Sequence, residues 1–158
     1  MTPYEELLEI AKNEGVTVVD YDLGEKLSGL YCDGYVLINK NSDAAEKYCT
    51  LAEELGHYYT ATENIVEADT IDKCRQEQQG RRWGYEKILP LETIIDAVID
   101  GYDNIALLTE ELDVTPEYLQ DALIYYNQKH GPKLEYHDHI VIFSDGSLIV
   151  HPILDDII

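Results

Sequence analysis

Positive charge is scarce in this chain. Eleven Lys and Arg stand against thirty-two Asp and Glu, a net charge of −21 at pH 7. Such a surface repels phosphate backbones, so direct nucleic-acid binding is not expected. Long apolar runs are missing too. None approaches the ~20 residues that span a bilayer, so no membrane partner is expected. Met1-Thr2-Pro3-Tyr4-Glu5-Glu6 has neither the basic start nor the apolar core of a signal peptide, and the expected location is the cytoplasm. The three cysteines, Cys32, Cys49 and Cys74, are odd in number and form no C-x-x-C pair. They read as reduced, packed thiols and not as a disulfide framework. There are no internal repeats and no low-complexity segments.

What is present suits one compact domain: 158 residues, 45% of them hydrophobic. The acidic surface keeps the protein soluble. It also suits a basic protein partner, including one that itself binds DNA.

The first forty residues read as one helix leading into a small antiparallel sheet. Thr2 caps the helix, Pro3 opens it and Gly15 ends it. Val16–Tyr21 is rich in β-branched residues. Asp33-Gly34 between Leu30–Cys32 and Tyr35–Ile38 is a hairpin signal. A second helix starts near Asp43, where Asp43 and Glu46 suit a capping box, and runs to about Tyr59. Its apolar face is Ala44, Tyr48, Leu51, Ala52, Leu55 and Tyr59. Glu46, Thr50, Glu53 and His57 lie nearly opposite, and Ala45, Cys49 and Gly56 form a strip of small residues between. Thr60–Asn64 is a polar break. A third helix spans roughly Ile65 to Leu89, with Glu77, Gly80 and Gly84 on one stripe. Two glycines inside a helix cost about 1 kcal/mol each against Ala, so the stripe is expected to lie tightly against a neighbouring helix.

Beyond Pro90, the segments Leu91–Ile99, Ile105–Leu112 and Glu117–His130 read as helices. The last two have helix-turn-helix spacing. Yet Thr109–His130 carries five acids (Glu110, Glu111, Asp113, Glu117, Asp121) against Lys129, which does not suit a recognition helix. It reads as a structural or protein-binding layer. The C-terminal stretch, with Ile140–Phe143 and Leu148–His151 around Asp145-Gly146, reads as a β-hairpin with apolar residues on both faces, covered by its own domain or a partner.

The chemistry is concentrated in Ala52-Glu53-Glu54-Leu55-Gly56-His57-Tyr58, which differs from the metal-binding H-E-x-x-H helix by Glu53 in place of the first His. Residues four apart share a helix face, so Glu53 and His57 can chelate one metal, with Glu54 beside them as general base. Such sites need a third ligand from elsewhere. Glu77, on the close-packing stripe of the next helix, is the candidate. The plain alternative is a solvated helix face, because Glu53 and His57 sit opposite the core side.

Two blocks together resemble a known family. Leu51–Thr60 resembles the active-site helix of the ImmA/IrrE-type metallopeptidases of mobile elements. Gln76-Glu77-Gln78-Gln79-Gly80-Arg81-Arg82-Trp83-Gly84-Tyr85 through Pro90 resembles that family's second motif. The resemblance covers roughly Tyr4 to His130. It implies an α+β, zincin-like fold: a small antiparallel sheet, an active-site helix and further helices, here with a C-terminal β-hairpin. The expected division is 1–89 for the zincin-like core, 90–131 for a helical subdomain and 132–158 for the hairpin extension, one compact domain overall. It further implies that His57 and Glu77 bind metal, that Glu54 is the catalytic carboxylate, and that the substrate is a helix-turn-helix repressor. Glu53 is the departure. A carboxylate can bind zinc, but two carboxylates and one imidazole make the ion a weaker Lewis acid and suit a harder one such as manganese. The competing expectation is a non-catalytic antirepressor that has lost metal chemistry and holds no ion.

Other constellations carry less. His137-Asp138-His139 resembles a metal clip, but the hairpin register sends His139 and His151 to opposite faces. Cys49, one turn before Glu53, reads as a packed small residue. Lys73, Arg75, Arg81, Arg82 and Lys87 are expected to pair with surrounding acids, and Trp83 to pack in the core. The hairpin is the expected place for a sheet extension or a dimer contact.

Overall fold

The computed structural model describes residues 1–60 and 70–154. The chain divides into two units, Met1–Ile88 and Leu89–Ile158.

In the first unit, helix α1 (Pro3–Asn13) starts with a reciprocal cap. The Thr2 hydroxyl accepts from the Glu5 amide at 3.1 Å, and the Glu5 carboxylate accepts from the Thr2 amide at 3.4 Å. Strands β1 (Thr17–Tyr21), β2 (Gly29–Cys32) and β3 (Tyr35–Asn39) form one sheet in the order β1-β3-β2. Asp33 and Gly34 both have positive φ, 46° and 82°, which makes the tight turn joining β2 and β3 antiparallel. β1 departs from the antiparallel expectation, because it runs parallel to β3. The hairpin fills one edge of β3, and β1 takes the other. The connection 22–28 then crosses the end of β3, anchored by Asn39. That buried side chain donates to the Gly24 and Leu27 carbonyls at 2.7 and 3.0 Å and accepts from the Asn41 amide at 3.2 Å.

Helix α2 (Ala44–Thr60) begins where Asp43 accepts from the Glu46 amide at 2.8 Å. The capping box does not close. Glu46 instead accepts from the Ser28 hydroxyl at 3.0 Å and ties the helix start to the connection before β2. Tyr48, Leu51, Ala52 and Leu55 are buried, as the periodicity requires, whereas Ala44 and Tyr59 at the ends are exposed. Helix α3 (Thr70–Ile88) packs along α2. The expected start of this helix near Ile65, and the polar break after Thr60, lie outside the described residues.

The second unit holds α4 (Leu91–Ile99), α5 (Ile105–Leu112), α6 (Pro116–His130) and an antiparallel sheet of β4 (Lys133–Tyr136), β5 (His139–Ser144) and β6 (Ser147–Pro152). Leu119, Ala122, Leu123 and Tyr126 bury one face of α6, and the Tyr126 hydroxyl donates to the Leu89 carbonyl at 2.7 Å. The helix-turn-helix spacing thus builds a structural layer. The C-terminal hairpin turns at Asp145 and Gly146, both with positive φ. Its register pairs Val141 with Val150 and Phe143 with Leu148. β4 adds a third strand that the sequence reading lacks, since Lys133-Leu134-Glu135-Tyr136 alternates but carries one aliphatic residue. Val141 and Phe143 are buried, while Ile142 and Ile149 on the other face are exposed in the single chain.

Candidate functional site

The site is built where α2 crosses α3. A Cβ on Gly56 would overlap the Gly80 carbonyl oxygen, and a Cβ on Gly80 would stand 3.1 Å from the His57 amide nitrogen and 3.2 Å from His57 Nδ1. The helices therefore meet backbone to backbone, which glycine alone permits. Three residues before and one after each glycine, the helices place Glu53 and His57 from α2, and Glu77 and Arg81 from α3, around the crossing. The glycine stripe of α3 has this close approach as its physical cause.

A third wall comes from β2. A Cβ on Gly29 would overlap the Thr50 side chain and lie 3.5 Å from Glu54 Cγ, so the strand sits directly on α2. Between these elements lies a cleft of about 380 Å³. Leu27, Leu30 and Tyr31 line it from the sheet side, Glu54 and His57 from α2, and Glu77 from α3.

Glu54 is the electrostatically perturbed group. Burial raises its pKa to about 7, and the negative charges of Glu53 and Glu77 add to the rise; a hydrogen bond from the Tyr31 amide opposes it. Near neutral pH this carboxyl is poised to take up or release a proton. Glu53 has a different setting. Its Oε1 accepts from Arg81 Nε at 3.1 Å and lies 4.0 Å from His57 Nε2. Desolvation works against the Arg81 charge, but Glu53, then Glu77 and Tyr85, outweigh it and hold the guanidinium more firmly protonated.

The structure thus brings Glu54, His57 and Glu77 onto one cleft. It places Glu53 beside His57 but turned to Arg81 and outside the cleft lining. Among the described residues, no three His, Cys, Asp or Glu side chains are gathered closely enough to hold an ion as they stand. The solvated-face alternative does not describe Glu53 and His57. Their side chains are only 33% and 25% exposed, because α3 covers that strip of α2. Cys49 is buried, and the strand register confirms that His139 and His151 point to opposite faces of their sheet. Trp83 stacks on Tyr59, with ring centroids 4.7 Å apart. Arg81 pairs with an acid, as expected, but the acid is Glu53 of the candidate site; Gly29 and Tyr31 carry no signal of their own in the sequence. The available signal for Arg81 was its place directly after a stripe glycine, one turn beyond Glu77.

The family model Peptidase_M78, described as an IrrE N-terminal-like domain, matches residues 2–123. The chain belongs to this family. Its α+β architecture is consistent with a zincin-like M78 domain, and the match leaves residues 124–158 outside. No curated protein matches the chain. As a metallopeptidase-like ImmA/IrrE relative, the M78 domain implies a protein substrate. Among the described residues, no helix is long and apolar enough to cross a membrane. M78 members are typically metal-dependent, and the residues here fit a divalent ion by donor chemistry. One imidazole and two carboxylates are ordinary ligands for zinc or manganese. His57 and Glu77 already face the cleft.

Proposed function

We propose that this M78 domain is a metal-dependent endopeptidase that cuts a helix-turn-helix repressor of a mobile element in the cytoplasm. The observation supporting this reading is the convergence of Glu54, His57 and Glu77 on one cleft beside the Gly56–Gly80 crossing. Glu53, His57 and Glu77 are the proposed ligands of a zinc or manganese ion, with Glu53 standing where the family has its first His. When bound, the ion supplies Lewis acidity toward the scissile carbonyl and makes water a better nucleophile. The remaining chemistry belongs to the chain. Glu54 accepts the proton of the attacking water and passes it to the leaving amine. The Tyr31 amide orients that carboxylate. β2 is an outer strand of its sheet, so an extended peptide can pair along it and present a carbonyl to Glu54. The acidic surface draws in a basic, DNA-binding substrate. Any self-association is assigned to the outer face of the C-terminal sheet, around Ile142 and Ile149.

The test uses the purified chain and a purified helix-turn-helix repressor of a mobile element as substrate. Wild type should give a defined cut, and Glu54→Gln should slow it by about 10²–10⁴-fold while keeping the metal. Equal cleavage by Glu54→Gln would refute the reading. A second reading, a non-catalytic antirepressor, is favoured by the Arg81–Glu53 pair at the first ligand position. In that case the repressor is inactivated uncut, and Glu54→Gln inactivates it as well as wild type does.

A further inference from the structure

We infer that Arg81 is a built-in competitor for the metal: its guanidinium holds Glu53, so an ion is bound only as Arg81 is displaced. This inference rests on the metal-dependent reading above. The same oxygen, Glu53 Oε1, lies 3.1 Å from Arg81 Nε and 4.0 Å from His57 Nε2. One atom therefore faces both the guanidinium and the imidazole that would share the ion. The position of Arg81 is not an accident of a mobile side chain. It follows Gly80, the residue whose backbone touches Gly56 and His57, so the helix crossing itself delivers the cation to the ligand cluster. Arg81 also lies one helical turn after Glu77, and the negative charges of Glu53 and Glu77 both hold its guanidinium more firmly protonated. It thus binds one proposed carboxylate ligand and feels the charge of the other.

Burial makes the exchange feasible. The Glu53 side chain is 33% exposed and the Arg81 side chain 51% exposed, so the guanidinium can withdraw into water while Glu53 stays at the crossing. Three carboxylates, Glu53, Glu54 and Glu77, crowd this end of the helix pair. Arg81 offsets part of their repulsion without an ion. A divalent cation offsets it more strongly, but the two positive charges exclude each other at such short range. The result is a site that is stable empty and whose affinity is set by a side chain that is not itself a ligand.

The experiment measures zinc and manganese binding by calorimetry on the full chain stripped of metal. Wild type is compared with Arg81→Met, Arg81→Lys and the double variant Glu53→Gln/Arg81→Met. Arg81→Met should bind about tenfold tighter than wild type. Arg81→Lys, which keeps the charge, should stay close to wild type. The double variant should lose the gain, because the released ligand is gone. A merely structural pair predicts no gain in affinity. The Tm of Arg81→Met should move by no more than about 2 °C, as befits a half-exposed ion pair. If wild type binds metal and Arg81→Met binds it equally or more weakly, the inference is wrong and the metal-dependent reading stands. If neither protein takes up a stoichiometric ion, both are wrong.

Discussion

Glu54 is the residue whose environment departs most from its sequence. In solution a Glu side chain is ionised at neutral pH. Here burial and two neighbouring carboxylates raise its pKa from 4.5 to about 7. The native chain therefore binds a proton between those values that the unfolded chain does not. The stability contributed by that proton is full below about pH 4.5 and is lost as pH rises through about 7. Metal-free wild type should lose roughly 1–3 kcal/mol relative to Glu54→Gln between those limits, read by denaturant unfolding at a series of pH values. Parallel pH profiles for the two proteins would contradict the described burial. At this scale the sequence displays the candidate groups but not their states. Glu53, Glu54, His57 and Glu77 are legible as a motif. That Glu53 turns to Arg81, and that the Tyr31 amide reaches Glu54, depends on contacts between residues far apart in the chain.

At the level of elements, two glycines decide how close α2 and α3 come. Their effects differ. A methyl on Gly56 meets a backbone carbonyl that cannot swing away, whereas a methyl on Gly80 meets atoms at 3.1–3.3 Å. Gly56→Ala should destabilise by about 1–3 kcal/mol despite the better helix propensity of Ala, and should weaken metal binding with it. Gly80→Ala should cost clearly less. Thermal unfolding of both variants checks the order, and a reversed order would mean that the crossing is described wrongly. The glycine stripe announced this contact because glycine in a helix is costly without a packing reason. The sheet was less legible. The Asp33-Gly34 hairpin is written in two residues, but the parallel pairing of β1 with β3 is not, because it is set by the connection that Asn39 anchors from a distance. β4 carries too little apolar periodicity to be read before its partner strand is known.

Across the whole molecule, the net charge of −21 sets a background of self-repulsion. Screening by salt should relieve it. Raising NaCl from about 20 to about 500 mM should therefore raise the Tm by about 2–5 °C, an effect opposite to that expected for stability resting on surface ion pairs. A fall in Tm would show that exposed pairs outweigh the repulsion. The charge is legible from composition alone and the main helices from periodicity, whereas the α+β class is what the family resemblance implies. The chain divides at Ile88 and Leu89, directly before the Pro90 that breaks the helix.

The claim that joins these scales is that α2 and α3 hold one divalent ion at their glycine crossing. Native mass spectrometry of the purified chain, equilibrated with excess zinc or manganese and then desalted, tests it most directly. One ion per chain is predicted for wild type, with loss of that ion in His57→Ala and in Glu77→Ala. A wild-type chain without a stoichiometric ion, or an ion retained by both variants, would contradict it.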